Sequence, residues 1–275
     1  MNKFNAFPIG KERKEEIRET YKNATSFQTR GNREIFDSKH YTWIDSPLDG
    51  PNIIDGKSFG KSFGYLLPEG EASLRNYIET TLARRKSKAV GVEFGGIGSR
   101  LFSEFTPGFF AKSVGVSLLD HRGRTDQLAR LTERDKKINH EVLEGNIFDT
   151  ETYNSLNKKL ENKKVDLIIE RMGKGLEFVP IEPYTVSRIL QTWYDLLREE
   201  GVMFVQVPVV FNNLLETWVA KIKKELESVI EIEYQKGNSD AAIHGACSAF
   251  RLRKLPRAPS ELPLLDPRTV RKIPR

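Results

Sequence analysis

Apolar positions recur with a helical period in some stretches of the chain and run nearly unbroken in others. The two kinds alternate from about residue 71 to residue 255. Residues 71–87 carry Leu74, Ile78 and Leu82 at four-residue spacing, the stripe of an amphipathic helix. Residues 89–94 form a short strand-like run, and Gly95-Gly96-Ile97-Gly98 follows it. A helix is expected over 99–105, a second strand over 114–118, and a helix over 125–138 with Leu128, Leu131 and Ile138 on one side. A weak third strand falls at 141–143, and Asp149 stands where it would cap a helix running to about 162. Residues 165–169 suit a strand buried on both faces. The strongest stripe lies in 183–200, where Val186, Ile189, Leu190, Trp193, Leu196 and Leu197 align, and Gly201 occupies the place of a left-handed cap. A fifth strand spans 202–207. Asn213, with Glu216 three residues on, opens a helix whose apolar set includes Leu214, Trp218, Ile222 and Leu226. Residues 229–234 and 246–252 are the last two strands.

Strands joined by helices pair in parallel through right-handed crossovers, whereas the last two strands have no helix between them and are free to pair antiparallel. The expected fold is therefore α/β, a Rossmann-like three-layer sandwich with a seven-stranded, mostly parallel sheet and an antiparallel last strand. Ligands in such sheets bind at the carboxyl ends of the strands, where strand order reverses. Residues 1–70 are irregular apart from a helical stretch at 11–21, and read as a cap or lid. Residues 71–255 form the α/β domain. Residues 256–275 hold Pro256, Pro259, Pro263, Pro267 and Pro274 among basic residues, and read as an extended, mobile tail.

Composition narrows the picture. With 38% apolar and 30% charged residues over 275 positions, the chain is globular rather than disordered. It has no run of about 18 apolar residues, so no membrane span is expected. The start, MNKFNAFPIG, has no apolar core of a secretory signal. The single cysteine, Cys247, excludes an intrachain disulfide and a multi-cysteine zinc site. His40 and His244 are isolated, His121 and His140 read as solvent-facing, and no metal site is expected. A reducing, cytoplasmic location fits. The net charge is +6, and residues 251–275 alone carry 8 basic against 2 acidic side chains, whereas the middle of the chain is mildly acidic. The basic ends read either as solvated tails or as a grip on RNA or another polyanion.

Chemistry points to Glu93-Phe94-Gly95-Gly96-Ile97-Gly98-Ser99. Glycines there allow a sharp strand-to-helix turn and close approach of a ligand to the main chain. The dinucleotide fingerprint is absent, because Leu101 stands where its third glycine belongs. An acidic residue before the glycines would repel a pyrophosphate and suits a cationic ligand group. Two decoys fall away. The Gly-Lys-Ser repeats beginning at Gly56 and Gly60 have Pro51 and Asp55 where a phosphate loop needs its first glycine, and no tyrosine is followed four residues on by the lysine of a short-chain dehydrogenase.

The segment resembles motif I of the class I S-adenosylmethionine-dependent methyltransferases, an acidic residue followed by alternate glycines after the first strand. Glu93 matches the acidic position and Gly95 the first glycine. Ile97 and Ser99 stand where the second and third are usual, with Gly96 and Gly98 beside them. SVGVSLLD resembles the second strand, whose terminal acidic residue holds the cofactor ribose. Ser117 takes that position here and Asp120 follows three residues later, either in the ribose role or as a helix cap. EGNIFD resembles the loop after the third strand, so Asn146 and Ile147 would flank the adenine, Asn146 reading equally as a turn residue. VDLIIERMG resembles the fourth strand and its loop, which places Glu170 at the site as cofactor ligand or catalytic base, or in a plain salt bridge with Arg171. The resemblance covers about residues 71–255 and implies S-adenosyl-L-methionine as cofactor, bound by Glu93, Phe94, Gly95, Gly96, Gly98, Asp120, Asn146, Ile147 and Glu170. The methyl acceptor implied is a small molecule or peptide, with RNA as a further class. Tyr41, Trp43, Phe59, Phe63 and Tyr65 would either close over the site as a lid or pack against the sheet. The alternatives are a non-catalytic Rossmann-like scaffold, which the substituted glycines and Ser117 keep open, and an NAD-dependent oxidoreductase, against which the missing fingerprint speaks.

Overall fold

The computed structural model describes residues 47–49, 60, 63–71, 73–83, 87–117, 120, 122, 126–170, 183–208, 211–237 and 247–265. The helix expected at 11–21, Tyr41, Trp43, Phe59, most of the Gly-Lys-Ser repeats, Arg171 and His40, His121 and His244 lie outside the described residues.

Helix α1 (Leu74–Ala83) precedes β1 (Ala89–Phe94), and α2 (Ser99–Ser103) leads to β2 (Phe110–Ser117). Then come α3 (Asp126–Lys137), β3 (His140–Glu144), α4 (Thr150–Lys159), β4 (Val165–Glu170), α5 (Pro183–Leu196), β5 (Leu197–Pro208), α6 (Asn212–Leu226), β6 (Ile230–Gln235) and β7 (Cys247–Lys254). The seven strands form one sheet in the order β3-β2-β1-β4-β5-β7-β6. All neighbours from β3 to β5 pair in parallel, while β7 runs antiparallel to both β5 and β6. This is the expected fold class.

Alternation of side chains sorts the strands onto two faces. One face carries Leu167, Ile169, Val202 and Phe204, and lies under Ile78 of α1, Phe102 of α2, and Leu48, Phe63 and Leu66 of the preceding segment. The other carries Val92, Phe94, Val116, Ile168 and Val205, and is covered by α4, α5 and α6 through Leu156, Trp193 and Trp218. Phe63 is fully buried with its ring 5.4 Å from that of Phe204, so for this residue packing against the sheet is the role observed. Tyr65, by contrast, is 81% exposed.

Four expectations are corrected. Helix α5 stops at Leu196, four residues short, and Gly201 lies inside β5 rather than at a helix cap. The register against β4 slips from Val165–Leu197 to Leu167–Val202, so residues 198–201 form a bulge in which Glu200, not the glycine, takes the left-handed conformation at φ 63°. Helix α6 begins at Asn212 after an uncapped Phe211, so Asn213 is not its cap. Asn212 instead bonds the Gly237 carbonyl at 3.3 Å and the hydroxyls of Ser248 and Tyr234. Residues 256–265 are not loose, since Leu262 and Leu265 are buried against α5 and α6. His140 is buried rather than solvent-facing. The Asp149 cap is as expected, its carboxylate accepting from the Glu151 amide at 3.1 Å.

Candidate functional site

Strand β1 lies between β2 and β4, where strand order reverses, and its carboxyl end opens into the glycine loop. Gly95 and Gly98 take φ of 84° and 69°, which favour glycine, and the Gly95 amide donates to the Val116 carbonyl at 3.0 Å. The loop then crosses directly over β2. A Cβ at Gly115 would stand 2.1 Å from the Ile97 carbonyl oxygen, so that strand position has to be glycine for the loop to seat.

Glu93 is 3% exposed and shares its sheet face with Gly91 and, through the register, Gly115. Its carboxylate lies under the loop, because a Cβ on Gly98 would come within 3.1 Å of Glu93 Oε2. The sequence thus places one buried acidic group beneath a bare stretch of main chain at the switch point of the sheet.

A polar network holds the loop from below. His140 Nε2 lies 2.6 Å from the Ile97 carbonyl oxygen, which can only accept, so this nitrogen carries the proton. Its Nδ1 then accepts from the Ser113 hydroxyl at 2.9 Å. Burial pushes the His140 pKa below the ordinary imidazole value, helped by Arg122 and Arg134 and opposed by Asp135 and the Ile97 carbonyl, so the ring is neutral near pH 7. Ser99, at a motif glycine position, donates to Asp135 Oδ2 at 2.6 Å. Arg122 bridges Asp135, at 2.8 Å, to Asp120, at 2.5 Å. Burial works against the Arg122 charge, but the hydrogen bonds to Asp120 and Asp135 outweigh it and its pKa stands above the usual arginine value.

The other expected site residues divide. Asn146 Oδ1 accepts from the Phe148 amide at 3.0 Å and its carbonyl from the Asp149 amide at 2.9 Å, the bonds of a tight turn after β3. Ile147 is buried, and its carbonyl accepts from the Tyr153 hydroxyl at 2.8 Å. Phe94 stacks on Trp193 of α5 with ring centroids 5.0 Å apart. Glu170 pairs in register with Phe94, so it lies on the α4–α6 side of the sheet, fully buried, opposite the face of Glu93. The structure therefore brings together Glu93, Gly95, Gly96 and Gly98, and sets Glu170 with Phe94 on the far face. Two groups on the near face stand apart from the expected set. His140 reads from its place near a strand end as solvent-facing, whereas it is buried under the loop, and Glu144 goes unmarked because the weak third strand reads as ending one residue earlier.

No family model matches the chain, and no curated protein matches it either. Distant similarity to solved structures is found. An rRNA methylase from Streptococcus thermophilus is 13% identical over 68% of this chain and 99% of its own, with a TM-score of 0.39. The N-methyltransferase NodS from Bradyrhizobium japonicum is 12% identical over 66% of this chain and 94% of its own, with a TM-score of 0.38. A precorrin-6y C5,15-methyltransferase from Geobacter metallireducens is 15% identical over 68% and 92%, with a TM-score of 0.35. The strand order with its reversed β7 and the loop at the switch point define a Rossmann-like α/β fold with a seven-stranded, mostly parallel sheet.

Proposed function

We propose that this protein is an S-adenosyl-L-methionine-dependent methyltransferase. The observation that carries the reading is the buried Glu93 carboxylate under the bare Gly98 main chain, at the point where strand order reverses. The donor set fits the cofactor. Glu93 would receive its cationic amino group, where a charge-assisted bond in a buried site is strong. Gly95, Gly96 and Gly98 would let the ligand lie against the backbone, and Asn146 and Ile147 would flank the adenine. When bound, the cofactor supplies a methyl group already activated by a sulfonium, so the chain's own task is to align an acceptor and, for some acceptors, to take a proton. Glu170, beside Phe94 and away from the glycine loop, suits that second task better than binding the cofactor's amino-acid part. The acidic middle of the chain favours a small-molecule or peptide acceptor over RNA.

The reading is tested by mass spectrometry of the purified protein for retained S-adenosylhomocysteine, and by calorimetric titration with S-adenosylhomocysteine and with NAD. Wild type should bind the first and not the second. Glu93→Gln should weaken binding at least about tenfold while its melting temperature stays near that of wild type. Binding of NAD instead would make the protein an oxidoreductase. Binding of neither would make it a scaffold, and equal affinity in Glu93→Gln would remove the carboxylate from the site.

A further inference from the structure

Given the methyltransferase reading, on which this rests, the ribose of the cofactor needs hydroxyl-binding groups near the end of β2. Asp120 is already committed. Its Oδ1 accepts from the Arg122 amide at 3.1 Å and Nε at 2.8 Å, and its Oδ2 from Nη2 at 2.5 Å. Arg122 is in turn anchored on the buried Asp135. Turning Asp120 toward a ligand would strip a half-buried guanidinium of one of its two carboxylates.

Ser117 ends β2 and Glu144 ends β3, and the two are direct neighbours in register. Side-chain alternation from Ser113, Gly115 and Glu93 puts both on the face that the glycine loop crosses. Ser117 is 2% exposed, and its hydroxyl has no hydrogen-bond partner among the described residues. Buried hydroxyls are nearly always paired, so this one calls for a partner from outside the chain. Glu144 is exposed, and its Oε1 accepts from the Asp120 amide at 2.7 Å, which fixes the carboxylate beside Ser117 and leaves its second oxygen to accept from a ligand. Adjacent strands lie about 4.8 Å apart, a spacing at which the two side chains bracket a vicinal diol. A carboxylate takes hydroxyl protons, and a serine hydroxyl gives or takes one. We propose that Ser117 and Glu144, not Asp120, hold the ribose hydroxyls of the cofactor.

The test titrates the full chain with S-adenosylhomocysteine and with its 2′-deoxy analogue, by calorimetry, for wild type, Glu144→Gln, Ser117→Ala and Asp120→Asn. Glutamine keeps the oxygen that accepts from the Asp120 amide, so Glu144→Gln preserves the local fold. Glu144→Gln should weaken S-adenosylhomocysteine at least about tenfold and shrink the difference between the two ligands toward nothing. Ser117→Ala should narrow that difference as well, and Asp120→Asn should leave it within about twofold of wild type. If the ligand difference survives in Glu144→Gln and collapses in Asp120→Asn, the assignment reverses. If wild type binds neither ligand, the methyltransferase reading itself falls, and this proposal with it.

Discussion

A hydroxyl buried without a partner costs the folded protein about 1–3 kcal/mol of desolvation, and Ser117 carries that cost at the end of β2. Removing it therefore has opposite effects on stability and on binding. Ser117→Ala should raise the melting point of the ligand-free protein, by on the order of 1 kcal/mol of stability, while lowering affinity for S-adenosylhomocysteine. Thermal unfolding with and without ligand reads both. A variant less stable than wild type would mean that the hydroxyl has a structural partner. Glu93 was legible in the sequence because an acid before a glycine run has a specific electrostatic meaning. The fate of Asp120 was not. Whether it caps, pairs or binds depends on Arg122 two residues on, and on Asp135, which only the packing of α3 brings within 2.8 Å of that guanidinium. Glu170 and Glu93 both looked like site acids, but alternation along strands of known register separates them onto opposite faces. The sequence could not show that register.

At the level of elements, the glycine loop is coupled to the outer strands by one imidazole. His140 opens β3, bonds Ser113 of β2, and holds the Ile97 carbonyl, while its ring lies 5.3 Å from that of Phe102 in α2. The folded protein holds this ring below its ordinary pKa, so between that lowered value and about 6.5 the unfolded chain binds the extra proton and the folded one does not. Stability contributed by neutral His140 is then fully present above about pH 6.5 and is lost as the pH falls through that window. Asp135 faces the ring and limits the loss, and Arg122 and Arg134 deepen it. Melting temperature should drop between about pH 7 and pH 5.5 in wild type and drop less in His140→Gln, whose amide can still donate to Ile97. Identical slopes would show that other groups set the pH dependence. Most elements were readable from period alone, because helices α1, α5 and α6 each bury one stripe and the central strands β1 and β4 are short, largely apolar runs. The junction between α5 and β5 was not readable. Leu197 continues the helical stripe, but pairing with β4 and the contact of Glu200 with Arg253 draw residues 197–201 into the sheet.

Over the whole molecule, the basic C-terminal stretch does more structural work than its composition suggests. Arg251 lies over the Tyr77 ring at 5.0 Å, Arg253 pairs with Glu231 at 3.3 Å, and Lys254 sits 4.0 Å from the Tyr194 ring centroid with its pKa lowered by burial. These three cations are spent inside the fold, which weakens the reading of the C-terminal charge as a grip on RNA. Pro256, Pro259 and Pro263 do not mark a loose tail either. Tyr194 donates to the Pro259 carbonyl, and Trp218 to the Pro263 carbonyl, each at 2.8 Å. The Leu262 amide donates to Gln191 at 2.8 Å and the Leu265 amide to Ser187 at 2.9 Å. The segment thus bonds both α5 and α6, and Leu265 is fully buried in the core it shares with them. Removing residues 256–275 should uncover apolar surface and leave Tyr194 and Trp218 without their acceptors. Burial of each leucine is worth about 1.5–3 kcal/mol, so the truncated chain should melt well below the full one. Leu265→Ala alone should cost about 2–5 kcal/mol. Chemical denaturation of both variants measures the effect. A truncated chain as stable as the full one would show that α5 and α6 hold the outer layer without this segment.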